Sequence, residues 1–178
     1  MGKPATTDTR EIIVEILLDL EKGQDFSHKL IKAVLDKYDY LDPRDKAFIK
    51  RVTEGTIERQ LELDYYLNRF SSVPVRKMKS LIRCLLRMST YQILYMDAVP
   101  DSAVCNEACK LAAKRGFRTL KGFVNAVLRN ISRSKDKMPL PDPADPVKYF
   151  SVKYSMPEWI VNLWLPAYGR EGTETLLK

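Results

Sequence analysis

Glycine is scarce in this chain. Its 178 residues hold seven, at positions 2, 23, 55, 116, 122, 169 and 172, and no two form a G-x-G. The loops that cradle a dinucleotide, S-adenosylmethionine or a nucleotide triphosphate depend on such clusters, so none of those sites is expected here. One histidine and three cysteines are too few for most zinc or Ser-His-Asp chemistry. Cys105 and Cys109 stand four apart on one helix face with Ala112 and read as buried thiols rather than a metal pair. No apolar run approaches the ~20 residues of a membrane span. The Asn130-Ile131-Ser132 sequon has no signal peptide before it, and unpaired cysteines without such a signal fit a reducing cytoplasm. Met1-Gly2 with Thr6 matches a myristoylation pattern too short to carry weight.

What is present is apolar and helical. A 45% hydrophobic content with 10% aromatics supports a packed interior. Asp8 can cap a first helix carrying Ile12, Ile13, Ile16, Leu17 and Leu20, with Gly23 as its stop. Ser27 is placed to cap a second. Asp42-Pro43 combines a cap with the proline favoured at the first helical position; the helix it opens should pass Gly55 and run towards Phe70, with a break near Leu61. A fourth helix is expected from about Pro74 to Tyr95, a fifth from Asp101 to Gly116 and a sixth over 119–133. Pro139, Pro141, Pro143 and Pro146 then impose an extended stretch. Beyond it Pro157 starts a short helix with Trp159 and Trp164, stopped near Gly169. Glu174-Thr175-Leu176-Leu177-Lys178 reads as helix without a stop signal, so a truncated region is expected there.

Charge is concentrated in the middle. Residues 71–137 hold 14 basic and 4 acidic side chains, net +10, within a chain of net +7. On a wheel for 75–95, Arg76, Lys79, Arg83 and Arg87 gather opposite an apolar arc of Met78, Leu81, Ile82, Leu85 and Met88. No acidic residue lies between Arg76 and Tyr95 to pair with that stripe along the helix. A single-sign face suits phosphate contact better than a mixed surface does, and a solvated face is the alternative. A second basic cluster, Lys110, Lys114, Arg115, Arg118 and Lys121, surrounds a helix end and turn where a phosphate backbone could lie. Helix-end charge compensation would also explain it.

The most distinctive segment is Gly122-Phe123-Val124-Asn125-Ala126-Val127-Leu128-Arg129. Its apolar residues share one face, while Gly122, Asn125, Arg129 and Arg133 share the other. A glycine inside a helix costs about 1 kcal/mol relative to alanine, so close approach of something to Gly122 would account for it. Asn125 is expected in a structural hydrogen bond, and Arg129 is open to either role. His28 and Asp45 fall in first helical turns and read as surface or dipole-compensating groups.

These residues carry a resemblance. Arg44-Asp45 with Phe48 and Gly55, then Leu86-Arg87-Met88-Ser89-Thr90-Tyr91-Gln92-Ile93-Leu94-Tyr95-Met96, Val99-Pro100, Asn106-Glu107-Ala108 and GFVNAVLR, resemble NusB-like domains. The last segment, with Tyr154-Ser155-Met156-Pro157-Glu158-Trp159, Trp164 and Tyr168-Gly169, is similar to the N-terminal part of the RsmB (Sun/Fmu) family of 16S ribosomal RNA cytosine-C5 methyltransferases. The resemblance implies an all-α NusB-like fold of two packed small helical bundles. On that plan 1–70 is the first bundle, 71–137 the second and basic one, 138–146 a Pro-rich linker and 147–178 the start of a truncated methyltransferase region.

The resemblance further implies a domain that positions ribosomal RNA and packs against a missing methyltransferase domain. The chain alone should be inactive, with no catalytic residue and no cofactor, metal or membrane of its own; S-adenosylmethionine is implied only for the full-length protein. Candidate RNA contacts are Arg76, Lys79, Arg83, Arg87, Lys110, Lys114, Arg115, Arg118, Lys121 and Arg129. A stand-alone NusB antitermination factor and a helical protein-interaction module are the alternatives. In the tail, one tryptophan should pack inward and the other lie partly exposed.

Overall fold

The computed structural model describes residues 8–23 and 27–178, and among them every regular element is helical. The short myristoylation pattern therefore lies outside the described residues. Asp8 accepts the backbone N–H of Arg10 and opens α1 (Thr9–Glu21), and Gly23 follows in the left-handed region at φ 69°. Helix α2 (Ser27–Lys37) already contains Ser27, the residue read as its cap. Asp42 accepts the Arg44 N–H at 2.8 Å to start α3 (Pro43–Glu58). The break before α4 (Gln60–Phe70) falls at Arg59, two residues ahead of the position expected from sequence.

The stretch after α4 corrects the sequence reading. Val75–Lys77 forms one 3-10 turn, held where the Asn68 side-chain oxygen accepts the Val75 N–H at 2.9 Å. Lys79 is extended, and α5 (Ser80–Tyr95) begins only after it. Arg76 and Lys79 thus lie off the helix on which they were placed. Helix α6 (Asp101–Lys114) ends at Gly116 with φ 91°, where Phe117 N–H reaches back to the Ala112 carbonyl at 2.8 Å. A second 3-10 turn, Arg118–Leu120, leads into α7 (Lys121–Ser134). Residues 139–145 are not helical. Helix α8 (Pro146–Lys153), opened by Asp145 and Pro146, was not expected. The final helix α9 (Glu158–Leu177) is broken at Gly169, φ 68°.

Helix α5 is the axis of the structure. It buries Leu81, Ile82, Cys84, Leu85, Leu86, Met88, Tyr91 and Ile93. It packs on α1, α3 and α4 with one part of its surface and on α6 and α7 with another, so residues before and after 70 share one core. Gly55 lets α3 approach: a Cβ there would strike the ring of buried Tyr91. Where the chain leaves this body, α8 packs on α4 and α9 on α8. Fully buried Phe150 lies beneath the Arg170 guanidinium. Ser155, at φ 50°, accepts the Leu61 N–H at 3.2 Å, and Lys153 and Tyr154 both bond Glu174. Trp159 is 67% exposed while Trp164 is half-buried, and Trp164 is not among the side chains packed against the main core, where one tryptophan was expected.

Candidate nucleic-acid interface

Two members of the α5 stripe are engaged inside the fold. Arg83 forms a bidentate pair with Glu21 of α1 at 2.7 and 2.8 Å and donates to the Met78 carbonyl at 3.1 Å. Arg87 is buried. It holds Asp64 of α4 through two 2.7 Å bonds and reaches Glu21 at 3.2 Å. Burial works against ionisation of Glu21, but the Arg83 and Arg87 guanidiniums outweigh it and hold the carboxyl below its ordinary range. The picture of one solvated cationic stripe is thereby corrected: its acidic partners come from other helices. Arg76 and Lys79 remain exposed and form no ion pair among the described residues.

The second cluster divides in the same way. Lys114 bonds Glu11 at 2.6 Å, and Arg115 pairs with Glu11 and Glu15, so the end of α6 is tied to α1. The hydrogen bond from Lys114 keeps the Glu11 carboxyl below its ordinary range. Lys110 makes only an exposed pair with Glu107 at 3.2 Å. Arg118 and Lys121 are exposed and enter no ion pair among the described residues.

Lys110, Lys121 and Arg129 border a groove between α6 and α7. Asn106, Cys109, Lys110, Lys121, Gly122, Asn125 and Arg129 line a cavity of about 550 Å³, without a carboxylate among them. Half-buried Arg129 donates from Nε to the Asn125 side-chain oxygen at 3.3 Å, the structural bond expected of Asn125. That bond also fixes the guanidinium at the groove wall. The first two residues of α7, Lys121 and Gly122, are on the groove wall, and the helix has no side-chain cap there. A larger cleft of about 630 Å³ holds Arg76, Arg83 and Arg87, but Asp64 and Glu21 neutralise two of those three. Of the two, only the α6–α7 groove has no carboxylate in its lining.

Nucleophilic chemistry has no support in this region. Burial pushes the Cys105 and Cys109 thiols up, and that of Cys84 to about 12, so all three stay protonated near neutral pH. The described residues contain no group of three or more His, Cys, Asp or Glu able to hold a metal. No helix among them is long and apolar enough to cross a membrane.

The sequence model of the NusB family matches residues 7–133, which span α1 to α7. The chain belongs to the NusB family. Among similar proteins is a probable ribosomal RNA small subunit methyltransferase B of Bacillus subtilis (strain 168). It is 36% identical over 173 residues, 97% of this chain but 38% of that protein. The transcription antitermination protein NusB of Acetivibrio thermocellus is 27% identical over 136 residues, 76% of this chain and 91% of its own. The solved structure of the antitermination factors NusB and NusE in complex with dsRNA gives a TM-score of 0.64 at 16% identity. It covers 71% of this chain and 94% of the solved one, and shares the NusB fold. This NusB-family chain spans less than two-fifths of the length of the methyltransferase it matches.

Proposed function

We propose that the chain is the RNA-positioning part of an S-adenosylmethionine-dependent ribosomal RNA cytosine-C5 methyltransferase. In this proposal residues 1–70 and 71–137 present small-subunit ribosomal RNA to a catalytic domain beyond Lys178. Residues 138–146 link the two parts, and 147–178 begin the methyltransferase region. The observation that carries it is the extent of the similarity. The match to methyltransferase B takes in 97% of the chain, where the NusB factor accounts for 76%. Trp159 and Leu163, one turn apart on α9 and 67% and 62% exposed, would be covered by the catalytic domain.

The RNA surface is proposed to be the α6–α7 groove with its rim, comprising Lys110, Arg118, Lys121 and Arg129, with Arg76 and Lys79 as a second point of contact. Their positive charge suits phosphate oxygens, and no carboxylate lines the groove itself, Glu107 meeting it only through Lys110. Arg83, Arg87, Lys114 and Arg115 act behind them by fixing α5 and α6 against α1 and α4. In this proposal methyl transfer is the task of the longer protein. Gly23, Gly116 and Gly169 each serve a separate chain turn rather than a cofactor loop, and the three thiols are in the wrong protonation state for attack. S-adenosylmethionine belongs to the longer protein.

A stand-alone antitermination factor is the second possibility, favoured by the near-complete coverage of the NusB relative. Sequencing the gene past Lys178 separates the two. A Gly-rich cofactor loop and a Pro-Cys motif downstream are the expected result, and a stop codon there would overturn the methyltransferase proposal.

A further inference from the structure

Gly122 occupies the first turn of α7, on its exposed face, with ordinary helical backbone. No left-handed conformation calls for glycine there. No neighbour does either: a Cβ built on Gly122 meets nothing within 4 Å, in contrast to Gly55, where the Tyr91 ring fills the space. An alanine would therefore fit and, this near the helix start, would favour the helix by less than the roughly 1 kcal/mol of an interior position. The glycine gives up helix stability without a conformational or packing reason inside the chain.

Its surroundings supply a reason outside it. Gly122 lines the α6–α7 groove between Lys121 and Asn125, with Lys110 and Arg129 also on the wall. A side chain at this position would project into the space those cations surround. The Lys110–Glu107 pair is open to solvent, with Lys110 exposed and Glu107 half-buried, so an incoming phosphate can replace it at small cost. Glycines of this kind let a backbone or ligand come nearer than a Cβ would permit.

We infer that Gly122 is the point of closest approach of an RNA sugar–phosphate backbone, which crosses α7 there while Lys110, Lys121 and Arg129 neutralise adjacent phosphates. The inference rests on the RNA reading of the groove and adds a mode of contact to it: the strand lies against the helix surface and is not held off by long side chains. The absence of carboxylates on the wall favours RNA over a cationic protein segment.

The test compares Gly122→Ala and Gly122→Leu with wild type and with a Lys110→Gln/Lys121→Gln/Arg129→Gln variant. Binding is measured by fluorescence anisotropy on a small-subunit ribosomal RNA hairpin and an unstructured RNA of equal length, with thermal unfolding alongside. Gly122→Ala should unfold at a higher temperature than wild type yet bind RNA about tenfold more weakly, and Gly122→Leu should bind more weakly still. A structural role would move stability and affinity down together. If both glycine variants bind as wild type while the triple variant weakens, RNA uses the groove without approaching Gly122, and this inference alone falls. If the triple variant also binds as wild type, the groove is not the RNA surface and the underlying reading falls with it. Weakened binding by the glycine variants to a cationic peptide, with RNA binding intact, would assign the close contact to a protein partner and overturn the inference.

Discussion

Arg87 is the clearest case of a cation that looks available in sequence and is structural in the fold. Replacing it with methionine keeps much of the stem and removes the guanidinium. Asp64 then loses both of its 2.7 Å bonds, and Glu21 loses one of two arginine partners. The Arg87 side chain is 11% exposed, and those of Asp64 and Glu21 are 23%. Breaking a fully buried ion pair costs about 3–5 kcal/mol. Because water reaches these carboxylates in part and Arg83 still serves Glu21, the expected loss is at the lower end, about 3 kcal/mol. For a domain of this size that lowers the melting temperature by roughly 6–12 °C. Urea unfolding followed by circular dichroism measures it directly. Arg87→Met/Asp64→Leu, which removes both charges, should be less destabilised than Arg87→Met alone. Lys79→Gln, an exposed control, should change stability by no more than about 0.5 kcal/mol. A loss below about 1 kcal/mol in Arg87→Met, or strict additivity in the double variant, would refute the buried-network account.

Three further outcomes follow from the packing. Gly55→Ala should cost about 1–3 kcal/mol by forcing α3 off Tyr91, and Tyr91→Leu in the same chain should recover part of the loss; an unchanged unfolding midpoint in Gly55→Ala would contradict the contact. Burial raises the Glu62 carboxyl pKa against the pull of Tyr95 and Arg59, so its contribution to stability is full at acid pH and is lost as pH rises through the raised value. Relative to wild type, Glu62→Gln should gain stability as pH climbs from 4.5 to 8, and a difference independent of pH would contradict this. Phe150→Ala should cost about 3–5 kcal/mol in a chain whose tail unfolds with the body, while Trp159→Ser should stay within about 0.5 kcal/mol; equal losses would mean that the tail packing is misjudged.

Local signals made the helices legible, and tertiary ones were hidden. Asp8, Asp42-Pro43 and Gly116 act on backbone groups a few residues away, so their caps could be read directly from sequence. Asp145-Pro146 is the same signal as Asp42-Pro43, yet the surrounding prolines masked it and α8 was missed. The wheel for 75–95 failed at its start because Asn68, seven residues earlier, holds the Val75 N–H and turns the chain. The charge reading erred for a different reason. Glu21 lies 62 residues from Arg83, and Asp64 lies 23 from Arg87, separations at which sequence spacing carries no information about pairing. Arg129 and Asn125 are four apart and Lys110 and Glu107 three, so their bonds were the polar contacts at the groove that helical spacing could suggest.

The claim that the α6–α7 groove and its rim carry RNA is tested most directly by the salt dependence of binding. Each phosphate neutralised contributes roughly −0.7 on single strands to the slope of log affinity against log salt. Titrating an unstructured RNA into wild type and into Lys110→Gln/Arg118→Gln/Lys121→Gln/Arg129→Gln should show the variant's slope shallower by about 3, with its unfolding midpoint nearly unchanged. A variant slope equal to that of wild type would contradict the claim and move the RNA to another face of the molecule.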